Sequence, residues 1–141
     1  MKASSTAANS NPSKAIDGIV SDDSRWVSEA SQEPLWLELD LGSVQKLAGI
    51  HLHSGYQGEA PIRSFVVQFR RDGQWHNIPS ATFTDNRAAA LTIPFGTADV
   101  TTDALRLWIT SAPQNIARVL EVVVWPASEG ELPPATQNDY R

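Results

Sequence analysis

A chain of 141 residues is one domain's worth, and with 41% hydrophobic and 19% charged residues it can bury a core of its own. Its 11 basic and 16 acidic side chains leave a net charge of -5, which argues against nucleic acid and anionic lipid, since both reward clustered Lys and Arg. Cysteine is absent, excluding disulfides, thiolate zinc sites and a cysteine nucleophile, and no apolar run approaches the roughly 18 residues of a membrane span.

The opening stretch "MKASSTAANSNPS" has no apolar segment and does not read as a signal peptide. It reads as a start placed just ahead of a domain boundary, so an excised module is expected. Pro12 suits the first helical position of a short turn over Asn11 to Ile16, the one helical piece the pattern allows. Next comes "AIDGIVSDDSRWVS", residues 15 to 28, which crowds Asp17, Asp22, Asp23 and Ser24 between a glycine turn and a tryptophan. These oxygens either bond their own backbone as turn and cap residues, or they wrap a cation. Calcium takes about six to eight oxygen ligands. Asp17, Asp22 and Ser24 lie close enough in sequence to converge on one ion, with Gly18 permitting the bend.

From there apolar residues recur with a period of two, the signature of strands. Strands are predicted at "LWLELDLG" (35–42), "LAGIHLHS" (47–54), "SFVVQFRR" (64–71), "ALRLWIT" (104–110) and "RVLEVVVW" (118–125). "AAALTIPF" (88–95) is a weaker strand, with Pro94 marking an edge or an end. Turn residues punctuate them at Asp40-Leu41-Gly42, Ser54 to Gly58, Asp72-Gly73, Asp85-Asn86 and Ala112 to Asn115, and Arg71-Asp72-Gly73-Gln74 reads as a tight hairpin. About eight short strands without a helical crossover give an all-β fold, an antiparallel β-sandwich or jelly roll. After Trp125, "PASEGELPPATQNDYR" has the composition of a linker or tail. The expected division is a module over 1–126 and a tail over 127–141.

Several residues in this frame carry chemistry. An ion site built by one loop alone is weak, and Glu121, a carboxylate inside an otherwise apolar strand, is the candidate to close it, because buried carboxylates need a partner. His51 and His53 are i, i+2 neighbours on one strand face. Imidazoles so spaced can share zinc only with further ligands, and none is evident. The pair reads as a partly exposed sheet face, with His53, at the border of a loop, available to touch a ligand. His76 adds no hydrolase arrangement, and no nucleophile elbow, zinc-protease helix or phosphate-cradling loop appears. Trp26, Trp36 and Trp75 are expected in the core. Trp108 and Trp125 fall on polar faces of their strands. Tyr56, in the glycine-flanked loop "SGYQGEAP", either lies flat over the domain's edge or offers a platform for a sugar ring.

The order of "ASSTAANSNPSKAIDG…SRWVS", "LWLELDLG", "LAGIHLH", "SFVVQFRRDGQWHNI", "LRLWIT" and "RVLEVVV" resembles the coagulation-factor C-type, or discoidin, domain, and within it the bacterial family 32-like carbohydrate-binding modules. The resemblance spans Ala3 to Trp125. It implies a galactose-binding-like jelly roll of two antiparallel sheets without catalytic activity, usually appended to secreted or surface-attached bacterial glycoside hydrolases, polysaccharide lyases or sialidases. It also implies a structural calcium: Asp17 matches the acid of the A-x-D-G motif, Ser24 the hydroxyl two before the tryptophan, and Glu121 the late glutamate. Asp22 is taken for the remaining side chain, with the carbonyls of Ala15 and Leu120 as additions. The loop is about two residues longer than in many relatives, which leaves Asp22, Asp23 and the Ser21 carbonyl in competition.

Ligands of such modules bind at the loop end through an aromatic platform with His, Arg and Asn. That implies Tyr56 as platform and His53, Asn86, Arg87 and Asn115 as hydrogen-bonders, with Arg118 as an alternative structural partner inside the fold. The expected function is a noncatalytic, monomeric module that binds a polysaccharide or oligosaccharide and tethers its parent enzyme to it. The rival is a structural or interaction module, which would show an exposed apolar patch around Trp108 or Trp125. Phospholipid binding would need protruding apolar loops ringed by basic residues, and enzymatic activity ranks last.

Overall fold

The computed structural model describes residues 2–8, 10–19, 21, 24–57 and 59–129. Among them are eight strands: β1 (Lys2–Ala3), β2 (Trp26–Val27), β3 (Leu35–Ser54), β4 (Ser64–Arg71), β5 (Gln74–Phe83), β6 (Ala90–Pro94), β7 (Thr101–Ser111) and β8 (Arg118–Pro126). Of these, β1, β2 and β5 correspond to no alternating run. Short 3-10 turns lie at Pro12–Ile16, Pro113–Asn115 and Ala127–Glu129. Of the expected tail, residues 130–141 lie outside the described residues.

The clearest departure from the sequence pattern is β3. The stretches 35–42 and 47–54, read as two strands, are one bent strand. The turn chemistry between them is real: Asp40 Oδ1 accepts the Gly42 N–H at 2.9 Å, and Gly42 has φ +83°. It makes a bulge instead of a reversal, and the pairing with β7 jumps from Asp40 to Gln45. The first half of β3 lies between β1 and β7, and its second half between β8 and β6. One strand therefore serves two layers, β1–β3–β7–β4–β5 and β2–β8–β3–β6, and every pairing is antiparallel. The hairpin between β4 and β5 has Asp72 at φ +54° and Gly73 at φ +76°, the two left-handed residues that suit the strand twist.

Between the layers Leu37, Leu39, Leu105, Leu107 and Ile109 meet Ile50, Leu52, Ile93, Val119 and Val122 in one closed core. Each such side chain contributes about 1.5–3 kcal/mol on burial. Trp26 is fully buried, and its indole N–H donates to the Ser5 carbonyl at 3.1 Å. Trp36 and Trp75, expected in the core, are half-buried on the outer face of the first layer. Alternation puts Trp36 beside Glu38, opposite the leucines, and Trp75 pairs with Arg70. There the Arg106 guanidinium lies 4.5 Å from the Trp75 ring centroid and 4.7 Å from that of Trp108, while its Nε donates to Gln68 Oε1 at 2.7 Å.

The outer face of the second layer corrects another expectation. His51 and His53 are 9% and 5% exposed, not partly open. Their strand is flanked on both sides, by Val123 and Glu121 of β8 and by Thr92 and Ala90 of β6, and the His51 ring stacks on Trp125 at 6.3 Å.

Candidate functional site

Two constellations stand close together on the loops around β8. The first begins at the short turn. Asn11 caps it by accepting the Ser13 N–H at 2.9 Å, Pro12 opens it, and Ala15 is fully buried against the sheet. Asp17 ends the turn. Gly18, at φ +81°, then bends the chain so that its N–H donates to Glu121 Oε2 at 3.1 Å. Asp17 Oδ1 accepts the Ile19 N–H at 2.9 Å, and its Oδ2 accepts the Ser24 hydroxyl. Three residues singled out from the sequence, Asp17, Ser24 and Glu121, thus converge. Ala15 and Leu120 are the buried neighbours of Asp17 and Glu121 along the chain. Asp22 and Asp23 lie outside the described residues.

Glu121 is 3% exposed, and its Oε1 has no hydrogen-bond partner among the described residues. Burial pushes its carboxyl up to about 8. The Gly18 amide pulls the other way, and the nearby Asp17 carboxylate adds to the rise. For Asp17 burial also works upward, but the Ser24 hydroxyl, the Ile19 amide and the Glu121 side chain outweigh it, and the carboxyl stays below its ordinary value. At neutral pH, in the absence of a cation, the pair keeps one proton, held on Glu121. Among the described residues no three His, Cys, Asp or Glu side chains form a metal-sized cluster. The described donor set is two carboxylates and a hydroxyl, all hard oxygens, with one buried oxygen unpartnered. Such a set fits a calcium ion, which would take the place of the proton.

The second constellation is a groove at the loop end. Ser54 leads into Gly55, whose φ of +105° is open to glycine alone, because a Cβ there would overlap the Glu59 carbonyl oxygen. The Gly55 N–H donates to the Arg118 carbonyl at 2.9 Å, tying the loop to β8. Tyr56 and Glu59 exchange two backbone bonds, at 2.7 and 2.9 Å. This brace presents the Tyr56 ring outward, 44% exposed, with the Arg25 guanidinium 4.8 Å from its centroid. Opposite, the turn Pro113–Asn115 places Gln114 and Asn115 in the left-handed region, at φ +59° and +60°. Arg25, Tyr56, Ala60, Pro113, Gln114 and Arg118 line a groove of about 500 Å³.

The other residues singled out for ligand contact are placed elsewhere. His53 is buried within its sheet. Asn86 clamps its own loop, donating through Nδ2 to the Ile62 and Ala88 carbonyls, both at 3.0 Å. Arg87 pairs with Asp85 at 2.9 Å in the open. Asn115 is exposed beside Gln114, and its carbonyl accepts the Ser31 N–H at 3.1 Å. The groove instead adds Arg25 and Gln114, and it makes Arg118 a wall residue that donates to Gln114 Oε1 at 3.2 Å. Arg25 had one sequence signal: it alternates with a tryptophan that must point inward.

The F5/8 type C domain family matches residues 1–122, and the chain belongs to that family. Among solved structures it resembles chitosan-binding module 1 of a chitosanase/glucanase from Paenibacillus sp. IK-5, with 25% identity, a TM-score of 0.74, and 88% of this chain and 92% of that one covered. Module 2 of the same enzyme, solved with chitotriose, gives 23%, 0.75, 88% and 93%. The family 32 carbohydrate-binding module of C. perfringens NanJ, solved with galactose, gives 18%, 0.74, 88% and 90%. No curated protein sequence matches. The fold is the β-sandwich of these modules.

Proposed function

We propose that this F5/8 type C domain is a carbohydrate-binding module that holds a secreted polysaccharide-degrading enzyme against its glycan. The observation that carries the reading is Tyr56, an aromatic ring held out at the edge of a groove beside guanidinium and amide donors. A sugar offers C–H groups on its ring face and hydroxyls at its rim. The first stack on an aromatic ring, and the second meet Arg25, Gln114 and Arg118. The glycan ligands named for the neighbouring modules support the same class. So shallow a site gives modest affinity. Tethering converts it into a high local concentration of enzyme on the polymer, with the domain acting as a monomer outside the cell or on its surface.

In the same reading a structural calcium is held by Asp17, Ser24 and Glu121, with the carbonyls of Ala15 and Leu120 and a carboxylate of the Asp22–Asp23 pair as further ligands. Its charge would let Glu121 ionise while buried and would fix the first loop to β8. The interaction-module reading has less support: Trp108 carries Arg106, Trp125 stacks on His51, and both are half-buried. The test is affinity electrophoresis of the chain and of Tyr56→Ala through gels containing different polysaccharides. At least one polymer retards the parent chain and not the variant, while both unfold at the same temperature. Free migration of the parent chain through every gel would remove the proposal.

A further inference from the structure

The groove carries more than a sugar platform needs. Arg25 and Arg118 both line it, and their described polar partners are neutral: the Gly55 carbonyl at 3.4 Å for Arg25 and Gln114 Oε1 at 3.2 Å for Arg118. Among the described residues neither arginine makes an ion pair; the two ion pairs there, Arg70–Asp103 and Arg87–Asp85, lie elsewhere. In a chain with 16 acidic and 11 basic side chains, two adjacent arginines with no acid paired to them among the described residues run against the overall charge balance. The two also feel each other: burial, and then the neighbouring Arg25 charge, lower the Arg118 pKa. Each guanidinium has five N–H donors, and among the described residues each spends one on these neutral partners. Arg25 is further fixed over the Tyr56 ring, so its fork is oriented before any ligand arrives.

From this arrangement we infer that the ligand is an acidic saccharide, whose ring carries a carboxylate or a sulfate that sits between Arg25 and Arg118 while the sugar stacks on Tyr56. The inference rests on the groove being the glycan site. Hydroxyls alone are served as well by Asn or Gln, which cost no charge burial. Paired guanidiniums bring a specific gain only for a planar or tetrahedral anion that takes several N–H groups at once. An anion also relieves the repulsion between the two arginines. A polycation such as chitosan would add to it.

The experiment uses the full chain loaded with calcium and then desalted, so that the proposed structural site is filled and no free ion bridges protein and polymer. Binding is measured by calorimetry and affinity electrophoresis to polygalacturonate, to the same polymer fully methyl-esterified, to a sulfated galactan and its desulfated form, and to chitosan. The expected result is at least about tenfold tighter binding to one acidic polymer than to its neutral counterpart, equal to ~1.4 kcal/mol. That preference shrinks as salt rises. The carboxylate and sulfate arms decide which anion is read. Arg25→Gln and Arg118→Gln each remove most of the preference and leave the residual, salt-insensitive binding that Tyr56→Ala abolishes. Equal binding to acidic and neutral forms, or preference for chitosan, overturns the acidic ligand and leaves the groove as a neutral sugar site. Binding that survives Tyr56→Ala and both arginine variants overturns the groove itself. Thermal unfolding of each variant separates these outcomes from a loss of fold.

Discussion

Replacing Glu121 by Gln tests the oxygen cluster most directly, because calcium works against its effect. In metal-free protein the Glu121 carboxyl titrates near 8 when folded, against an ordinary value of 4.5. A group whose folded pKa is raised gives its full stability below the unfolded value and loses it as pH climbs through the folded one. At about 1.4 kcal/mol per pH unit, the 3.5 units between 4.5 and about 8 amount to at most about 5 kcal/mol. The loss is smaller than that ceiling, since the neighbouring Asp17 and Gly18 are exposed and bring solvent close to the carboxylate. Gln keeps the acceptor for Gly18 and the donor toward Asp17 but never ionises. In EGTA, Glu121→Gln is therefore neutral near pH 4.5 and more stable than the parent by ~2–4 kcal/mol at pH 8.5. With calcium at a hundred times its Kd, the parent gains roughly 2.7 kcal/mol, and the variant, short of one charged ligand, gains less. Urea denaturation followed by tryptophan fluorescence measures all four states. A variant no more stable than the parent at pH 8.5 in EGTA would refute the burial argument. A parent indifferent to calcium would refute the ion.

Gly55→Ala forces a side chain into a left-handed backbone and against the Glu59 carbonyl. It costs about 1–3 kcal/mol, and the Tyr56 brace moves, so glycan retention falls further than thermal stability does; retention equal to the parent's would show that the brace does not set the site. Removing the proposed calcium weakens glycan binding even though its candidate ligands lie outside the groove, because Ser24 and Arg25 are consecutive. By linkage the glycan tightens calcium binding by the same factor. Calorimetry of each ligand with and without the other checks the equality, and independence of the two would separate the sites.

The sequence reveals what depends on local alternation. The runs that become β3, β4, β6, β7 and β8, the Asp72-Gly73 hairpin, the Pro12 turn and the odd charge of Glu121 are all visible in stretches of ten residues or fewer. Asp40-Leu41-Gly42 misleads because a bulge and a chain reversal use the same residues: both want an Asx side chain bonding its own backbone and a glycine at positive φ. His51 and His53 mislead for a different reason. Period two says which face a residue takes, not whether that face is covered, and the cover comes from β6 and β8, which are distant in sequence. Trp36 misleads by residue type, since alternation sets it beside Glu38 and away from the buried leucines.

The groove lies beyond local reading because its walls come from three places: the end of the acidic loop, the loop after β3 and the turn before β8. Their meeting is fixed by register. β2 pairs Val27 with Arg118 and Trp26 with Val119, so the residue just before the buried Trp26 must emerge beside the start of β8. The Arg118 carbonyl accepts the Gly55 N–H and brings the Tyr56 loop to the same point. Three residues further along β8, Glu121 holds the Gly18 bend. The strand that closes the oxygen cluster therefore also sets the two arginines and the ring, and an ion that orders one end of the acidic loop orders the guanidinium at its other end.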